Sequence, residues 1–397
     1  MSPRRIVMDE VLCHFSKLED PRSTVNRKHP LASVIVIAIL GVLAGASGPT
    51  GIATWAAIHA DALKKLVPLP NGVPRKDVFR RLFCALKPGI FQACFSEWIE
   101  TLREAASEAT GEDRPVLAVD GKTLRRSHDR LNGLKALHTV SVWASEYGLS
   151  LAQVATPETG NEITAIPEVL AQVELKEAIV TIDAIGTQKE IAEQIVASGG
   201  DYVLALKDNQ GKLKANVIEY VTQQFDNGLA DGQVRRVVMK SRGHGREETR
   251  EVFQFAAPAE LTNSGDWRGL ATLGFVKLTT VRAGKTTKQV RYFISSLPLG
   301  LKTFARAIRS HWRIENSCHW GLDVTCREDE SRTREKCARE NFAWLYRFIL
   351  SLLKQHTSKQ SLAMKRRACV RVQHRVPDGS LCGEHDLVCA CPGLAEF

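Results

Sequence analysis

Apolar positions fall into two textures along the chain. From Val11 to Trp98 they form long runs, Val11–Phe15, Leu31–Ala46, Gly51–Leu66 and Val78–Trp98. These are broken by Pro-Thr-Gly at 49–51 and by the loop Val-Pro-Leu-Pro-Asn-Gly-Val-Pro-Arg at 67–75. Such runs with Pro/Gly punctuation predict an all-helical N-terminal domain over 1–110. Thr-Gly-Glu-Asp-Arg-Pro at 110–115 has no apolar period and reads as a linker. Beyond it the runs shorten to strand length: VLAVD (116–120), LHTVSVWA (137–144), LSLAQVA (149–155), AIVTIDAI (178–185) and DYVLALK (201–207). Helical stretches at 162–173 and 189–198 lie between the later ones. The order predicts an α/β fold, a mixed sheet flanked by helices. In open sheets of this kind sites gather at the carboxyl ends of strands, where Asp120 and Asp183 lie.

Residues 211–298 read as an insertion of antiparallel strands, with EVFQFA, FVKLTTV and QVRYFISS alternating in the strand manner. Within it, VRRVVMKSRGHGREETR at 234–250 puts six arginines and lysines on a ribbon. Two readings stand for these: tracking a DNA backbone, or guarding an edge strand from aggregation. A helix is predicted from an N-cap at Thr303 to an end near Gly321, and a last helix over Glu340–Gln355. After Lys365 no amphipathic period survives, so 366–397 reads as an irregular, disordered tail. Leu31–Ala46 is shorter than the roughly 20 residues of a spanning helix and is read as a buried core helix, with no membrane partner. No tandem repeat is present. The Gly-Lys-Thr strings at 121–123 and 284–286 lack the upstream glycine of a phosphate-binding loop.

Charge narrows the class of partner. Fifty-four Lys and Arg against 44 Asp and Glu leave a net charge of +10, which favours a polyanion such as nucleic acid. Ten cysteines lack the spacing of a disulfide framework and no apolar leader precedes them, so a reducing cytoplasm is the expected compartment.

Three segments carry candidate chemistry. In AVDGKTLRRS, Asp120 ends an apolar strand, Gly121 allows a tight turn, and Lys122, Arg125 and Arg126 follow. A carboxylate there suits a hard cation such as Mg²⁺, which takes oxygen ligands; a plain strand-ending aspartate is the alternative. In VTIDAIGTQKEIAEQI, Asp183 sits among apolar neighbours, where an unpaired charge is costly. In IRSHWRIENSCHWGLDVTCRED, His311, Glu315 and His319 fall at i, i+4 and i+8, on one helical face. They fit a zinc site, or Glu315 completes an oxygen-rich triad with Asp120 and Asp183, or the helix is half-buried with Trp312 and Trp320 in the core. Asp323, Glu328 and Asp329 are rival carboxylates. Cys382, His385, Cys389 and Cys391 fit no standard zinc-finger spacing.

Taken in order, AVDGKTLRRS, GNEITAIPEVL, VTIDAIGTQKEIA, GGDYVLALKDNQ and IRSHWRIENSCHWGLDVTCRED resemble the DDE transposases of bacterial insertion sequences, and among the cut-and-paste transposases the H-repeat-associated branch. The stretch from FSKLEDPR to LFCALKPGIFQACFSEWIE is similar to the helical domain that precedes catalysis in that branch. The likeness spans about Val11 to Lys365. It implies a ribonuclease H-like catalytic domain over 115–365 with the β-rich insertion before its last catalytic helix. It also implies Asp120, Asp183 and Glu315 as catalytic, metal-binding acids, 63 and 132 residues apart. Two Mg²⁺ (or Mn²⁺) ions, cleavage and transfer of double-stranded DNA, and a homodimer or higher assembly on that DNA follow from the same resemblance. So do looser roles in DNA contact or metal support for Lys122, Arg125, Glu162, Lys207, Asn209, Gln210, Arg309, His311, Arg313 and His319. A Tyr-Arg-Glu-Lys signature common in the wider group is absent, its places being held by Ile308, His311 and Leu322. That departure and the odd tail keep a catalytically silent DNA-binding relic as the alternative, with a zinc hydrolase behind it.

Overall fold

The computed structural model describes residues 12–13, 15, 18–25, 27–111, 114–157, 160–229, 234–243, 245–263, 265–356 and 358–368. The tail beyond 368, with Cys382, His385, Cys389 and Cys391, lies outside the described residues.

The N-terminal runs fold as α1 (Leu31–Leu43), α2 (Gly48–Ile58), α3 (Ala60–Leu66), α4 (Lys76–Ala85), α5 (Pro88–Ala93) and α6 (Ser96–Thr110). A helix that is apolar all round must be buried all round, and every residue of α1 except Ala32 is. Among the described residues no single helix is long and apolar enough to cross a membrane. Gly111 closes α6 in the left-handed conformation, φ 64°, which its missing Cβ permits.

Nine strands form one sheet in the order β3-β2-β1-β4-β5-β9-β8-β7-β6. They are β1 (Val116–Leu124), β2 (Leu137–Ala144), β3 (Leu149–Ala155), β4 (Ile179–Ile182), β5 (Asp201–Leu206), β6 (Val234–Gly243), β7 (Arg246–Ala256), β8 (Thr272–Arg282) and β9 (Lys285–Ser295). β4 runs parallel to β1 and β5; the other pairings are antiparallel. Helices α7 (Glu162–Leu170) and α8 (Lys189–Ala197) connect the central strands. The predicted mixed α/β architecture therefore stands, with strand boundaries at β2 and β3 as read from the sequence.

The stretch read as an insertion differs in two respects. It opens with a helix, α9 (Gly211–Asp226), whose buried Val217, Val221 and Gln224 follow helical rather than strand spacing. Its strands also continue the central sheet, because β9 pairs with β5 from Val203↔Ser295 to Leu206↔Tyr292. Gly274 on β8 lets a helix press on this extension: a Cβ there would lie 2.2 Å from the Phe304 ring.

That helix, α10, spans Leu301–Arg313, beginning before Thr303. It does not stop near Gly321. The winding loosens to π-helix over Ile314–His319 and Gly321–Thr325, and Gly321 serves packing, since a Cβ there would meet Leu350 at 2.9 Å. The next helix, α11, covers Lys336–Gln355, four residues earlier than predicted, because the Glu335 side chain caps it by accepting from the Ala338 N–H at 2.7 Å. α11 joins the two parts of the molecule. Phe342 stacks on Phe83 at 4.6 Å and Phe348 on Phe95 at 4.4 Å between ring centroids, while the Asn341 amide donates to the carbonyls of Phe83 and Leu86 at 2.9 Å each. A short α12 (Leu362–Ala368) corrects the expected start of the irregular tail: Arg366 is buried and donates to the Thr325 and Val42 carbonyls.

Beneath the π-helical segment lies a buried ion pair. Glu328 and Arg347, both 0% exposed, meet at 2.9 Å, and Arg347 also donates to Thr139 Oγ1 at 3.0 Å. Removing one partner leaves an uncompensated buried charge, so Glu328→Ala is expected to cost about 3–5 kcal/mol. The double variant Glu328→Leu/Arg347→Met should lose less. Urea denaturation of the three proteins checks this, and equal losses would show the pair to be net stabilising.

Candidate active site

The parallel ladder between β1 and β4 closes with the pair Val119↔Ile182. The next residue on each strand is an aspartate, Asp120 on one and Asp183 on the other, so the topology sets the two side by side. Asp120 does not end its strand as the sequence suggested. β1 continues to Leu124 against β2, with Asp120 opposite Ser141 and Gly121 opposite Val140. The glycine is therefore needed for close approach rather than for a turn. A Cβ on Gly121 would stand 2.2 Å from Glu162 Oε1 and 2.6 Å from His138 Nε2.

Asp183 starts the loop after β4, where its Oδ1 accepts the Ile185 N–H at 3.0 Å and caps a short 3₁₀ turn. The loop is clasped from two sides. Thr187 Oγ1 donates to Ala205 O at 2.7 Å, and the amides of Asn209 and Gln210 donate to Ala184 O and Thr187 O, at 2.5 and 2.9 Å. Asn209 and Gln210, read as DNA-contact candidates, thus brace the Asp183 loop from β5.

Glu315 arrives on the first π turn. A π-bulge gives up good i→i+4 geometry and is found mostly at functional positions; here it keeps Glu315 and His319 together, with His319 Nδ1 3.0 Å from Glu315 Oε2 and 3.7 Å from Asp120 Oδ2. Ligand atoms of Asp120, Glu315 and His319 all lie within 4.8 Å of one another. His311 is not part of this group; its Nδ1 bonds to Thr181 Oγ1 at 3.1 Å. Burial pushes its pKa down to about 4, opposed by the charge of Asp183. The three-residue zinc site of the sequence reading is not assembled.

Burial raises the Asp120 pKa to about 7, against the pull of the Gly121 N–H, and the charges of Asp183, Glu162 and Glu315 raise it further. Asp183 and Glu162 thus lie near enough for their charges to act on Asp120, but among the described residues they are outside the group whose ligand atoms come within 4.8 Å of one another. The rival acids are accounted for otherwise: buried Lys122 reaches Asp323 at 2.7 Å, Asp329 at 3.5 Å and Glu328 at 3.8 Å. Lys122 itself is consequently a strut between β1 and the segment after Glu315, not an exposed cation. Arg125 is exposed and sits 3.4 Å from Asp329; Arg309 and Arg313 are exposed on α10. Trp320, read as core, is 56% exposed.

Next to Asp183 a cavity of about 580 Å³ opens between the Asp183 loop, β5, β9, α9 and α10. Lys207, Lys214, Arg291, Tyr292, His311 and Trp312 are among its walls. The guanidinium groups of Arg291 and Arg250 lie 4.7 and 5.4 Å from the Trp312 ring. Sequence reading missed Arg291, Lys214 and His138. The first two belong to the insertion, whose pairing with β5 no local pattern reveals. His138 sits opposite Thr123 through hairpin register, which was not countable across the irregular connection.

Comparison with known proteins agrees with this geometry. The model described as "Transposase DDE domain" matches residues 111–353, and "DDE_Tnp_1-associated" matches residues 12–99. The chain belongs to the DDE transposase family. It is similar to the "H repeat-associated putative transposase YhhI" of Escherichia coli (strain K12), 35% identical over 352 residues, covering 87% of this chain and 90% of that protein. A shorter protein of the same description and organism, YbfD, is 33% identical over 255 residues, 64% of this chain and 97% of that one. The DDE transposase domain is ribonuclease H-like, and β3-β2-β1-β4-β5 with α7 and α8 supplies that frame here. In this transposase family member Ile308 and Leu322, at the places of the absent signature, are buried core residues.

A carboxylate that is buried, and has other acids near it, opposes folding when it is ionised. Since the Asp120 pKa is raised from 3.8 to about 7, the penalty is absent below pH 3.8 and complete above about 7. Asp120→Asn, which removes one charge at constant shape, should therefore raise Tm at pH 8 in EDTA, by about 2 °C or more, and change it little at pH 4. Thermal melts at both pH values check this; an equal shift at both would contradict an ionisation cost at Asp120.

Proposed function

We propose that this chain is a metal-dependent DNA transposase that cleaves and rejoins the ends of an insertion sequence at Asp120, Asp183 and Glu315. The observation that carries the reading is the placing of Asp120 and Asp183 just past the last rung of the parallel β1–β4 ladder, with Glu315 on the π turn meeting Asp120. In this reading, residues 1–110 form the helical N-terminal domain and the catalytic domain runs from 115 through α12, with the tail beyond it.

The donor set fits hard divalent cations. The acids supply oxygen ligands, their mutual repulsion is relieved by positive charge, and Gly121 provides the space that a side chain would fill. Asp120, Asp183 and Glu315 would hold Mg²⁺ or Mn²⁺, two ions in the two-metal arrangement, which stabilise the attacking and leaving oxygens of an in-line displacement when bound. The displacement forms a new P–O bond from water or a DNA 3′-hydroxyl as the opposite P–O bond breaks and its oxygen takes a proton. The chain's own groups set the geometry: His319 orients Glu315, Asn209 and Gln210 fix the Asp183 loop, and the Lys122 strut holds β1 against the segment carrying Glu315.

Double-stranded DNA is the partner in this reading, as element ends and target, with two copies or more of the chain assembled on it in the cytoplasm at the nucleoid. In this reading Arg125, Lys207, Arg309, Arg313 and the cations of β6 and β7 would meet phosphate, Arg236 and Arg242 among them giving up their pairs with Glu251 and Glu247.

Cleavage of DNA carrying the element's own ends tests the proposal. Wild type is expected to cut with Mg²⁺ and to stop in EDTA, whereas Asp183→Ala and Glu315→Ala should lose at least about a thousandfold in rate, the scale of a lost transition-state contact of ~4 kcal/mol, with DNA binding retained. Cutting by Glu315→Ala at the wild-type rate would overturn the assignment. End-specific binding without cutting by any of the three would leave a silent DNA-binding protein. Binding by wild type should also weaken steeply with salt if phosphates are tracked, which a filter-binding series from 50 to 200 mM NaCl, the range over which such losses are typical, measures; a flat response would count against it.

A further inference from the structure

Glu162 is a fourth acid at the same place, and resting on the reading above we infer that it is a ligand or support of one of the divalent cations. It opens α7, where the helix N-terminus favours a carboxylate, and the crossover from β3 lays it over β1 at Gly121. The contact is close. Glu162 Oε1 stands where a Cβ of residue 121 would be, 2.2 Å from that position, one residue from Asp120.

Its aim is fixed by a short chain of hydrogen bonds. His138 Nε2 lies 2.8 Å from Glu162 Oε1, and His138 Nδ1 lies 2.7 Å from Thr123 Oγ1. Among the described residues Oε2 makes no hydrogen bond, and no Lys or Arg pairs with the carboxylate. The acids that follow Glu315 have cations instead: Asp323, Glu328 and Asp329 share Lys122, and Glu328 also has Arg347. Glu162 is only 22% exposed and has the His138 imidazole as its partner. A half-buried carboxylate, oriented by a histidine through one oxygen with the other left open, and packed on the residue next to Asp120 though outside the 4.8 Å group of Asp120, Glu315 and His319, has the form of a group that supports a metal held there.

The alternative is a structural pin, with His138 and Glu162 merely fastening α7 to β1. Metal binding separates the two. Mn²⁺ binding by the full-length protein without DNA, counted from the paramagnetic resonance of the free ion, is the readout, with circular dichroism and Tm as checks on folding. Wild type is expected to bind two ions. Glu162→Gln should weaken one of them at least about tenfold, and His138→Gln should weaken the same ion, the range seen when the group orienting a ligand is lost. Folded Glu162→Gln with both affinities unchanged would overturn the inference and leave the transposase reading intact. Should Glu162→Gln fail to fold, Glu162→Asp, which keeps the charge on a shorter arm, decides by the same measurement: a weakened ion supports the role and wild-type affinity overturns it. Wild type that binds no Mn²⁺ and cuts no DNA would sink both readings together.

Discussion

The burial of a carboxylate, Asp120, with other acids near it is the constraint on which the rest of the structure depends. Asp120, Asp183, Glu162 and Glu315 come from four separate segments, and each is brought in by an element that is over-determined elsewhere. The two aspartates follow the last rungs of a parallel ladder buried on both faces, whose burial cannot be given up without exposing Val116–Val119 and Ile179–Ile182. Glu162 is tied to β1 by His138, and Glu315 is reached from a helix whose continuation is held by Glu328, Arg347 and Lys122. Hydrophobic burial and remote ion pairs thus impose a charge arrangement that the acids alone would escape, a common way of storing strain at a functional site.

The distribution of cations follows the same logic. Lys122 and Arg347 neutralise the acids that lie after the π-helical segment, leaving those around Asp120 with imidazoles and backbone N–H groups as their polar neighbours. Had Lys122 been directed at Asp120, the site would be a closed ion pair with nothing left to bind. The selective placement of positive charge, rather than the number of acids, is what separates a cation site from a salt-bridge network.

Much of this was legible in the sequence. Short β-rich runs separated by helical ones specified the mixed sheet, and two aspartates after apolar runs marked their own sites, because a strand buried on both faces loses its polar residues until it reaches the edge. Glu315 and His319 were found by helical spacing, which a π turn of about the same pitch preserves, whereas His311 was wrongly grouped with them because the change of winding takes place between it and Glu315. The role of Lys122 was misread for a different reason. A lysine after a strand is usually solvent-exposed, and only the return of residues 323–329 across β1 buries it. His138 and Arg291 act through long-range strand pairing, which leaves no local trace. Helix α9 was overlooked where polar spacing on its outer face hid the buried Val217 and Val221.

The pairing of β9 with β5 makes the four insertion strands part of one hydrogen-bonded plate with the strands that lead to Asp120 and Asp183. β5 runs from that seam directly into Lys207, Asn209 and Gln210, the last two of which clasp the Asp183 loop. A load applied to the basic outer strands therefore has a continuous hydrogen-bonded path to the loop that carries Asp183. The arm that would grip a substrate and the loop that would act on it move as one lever.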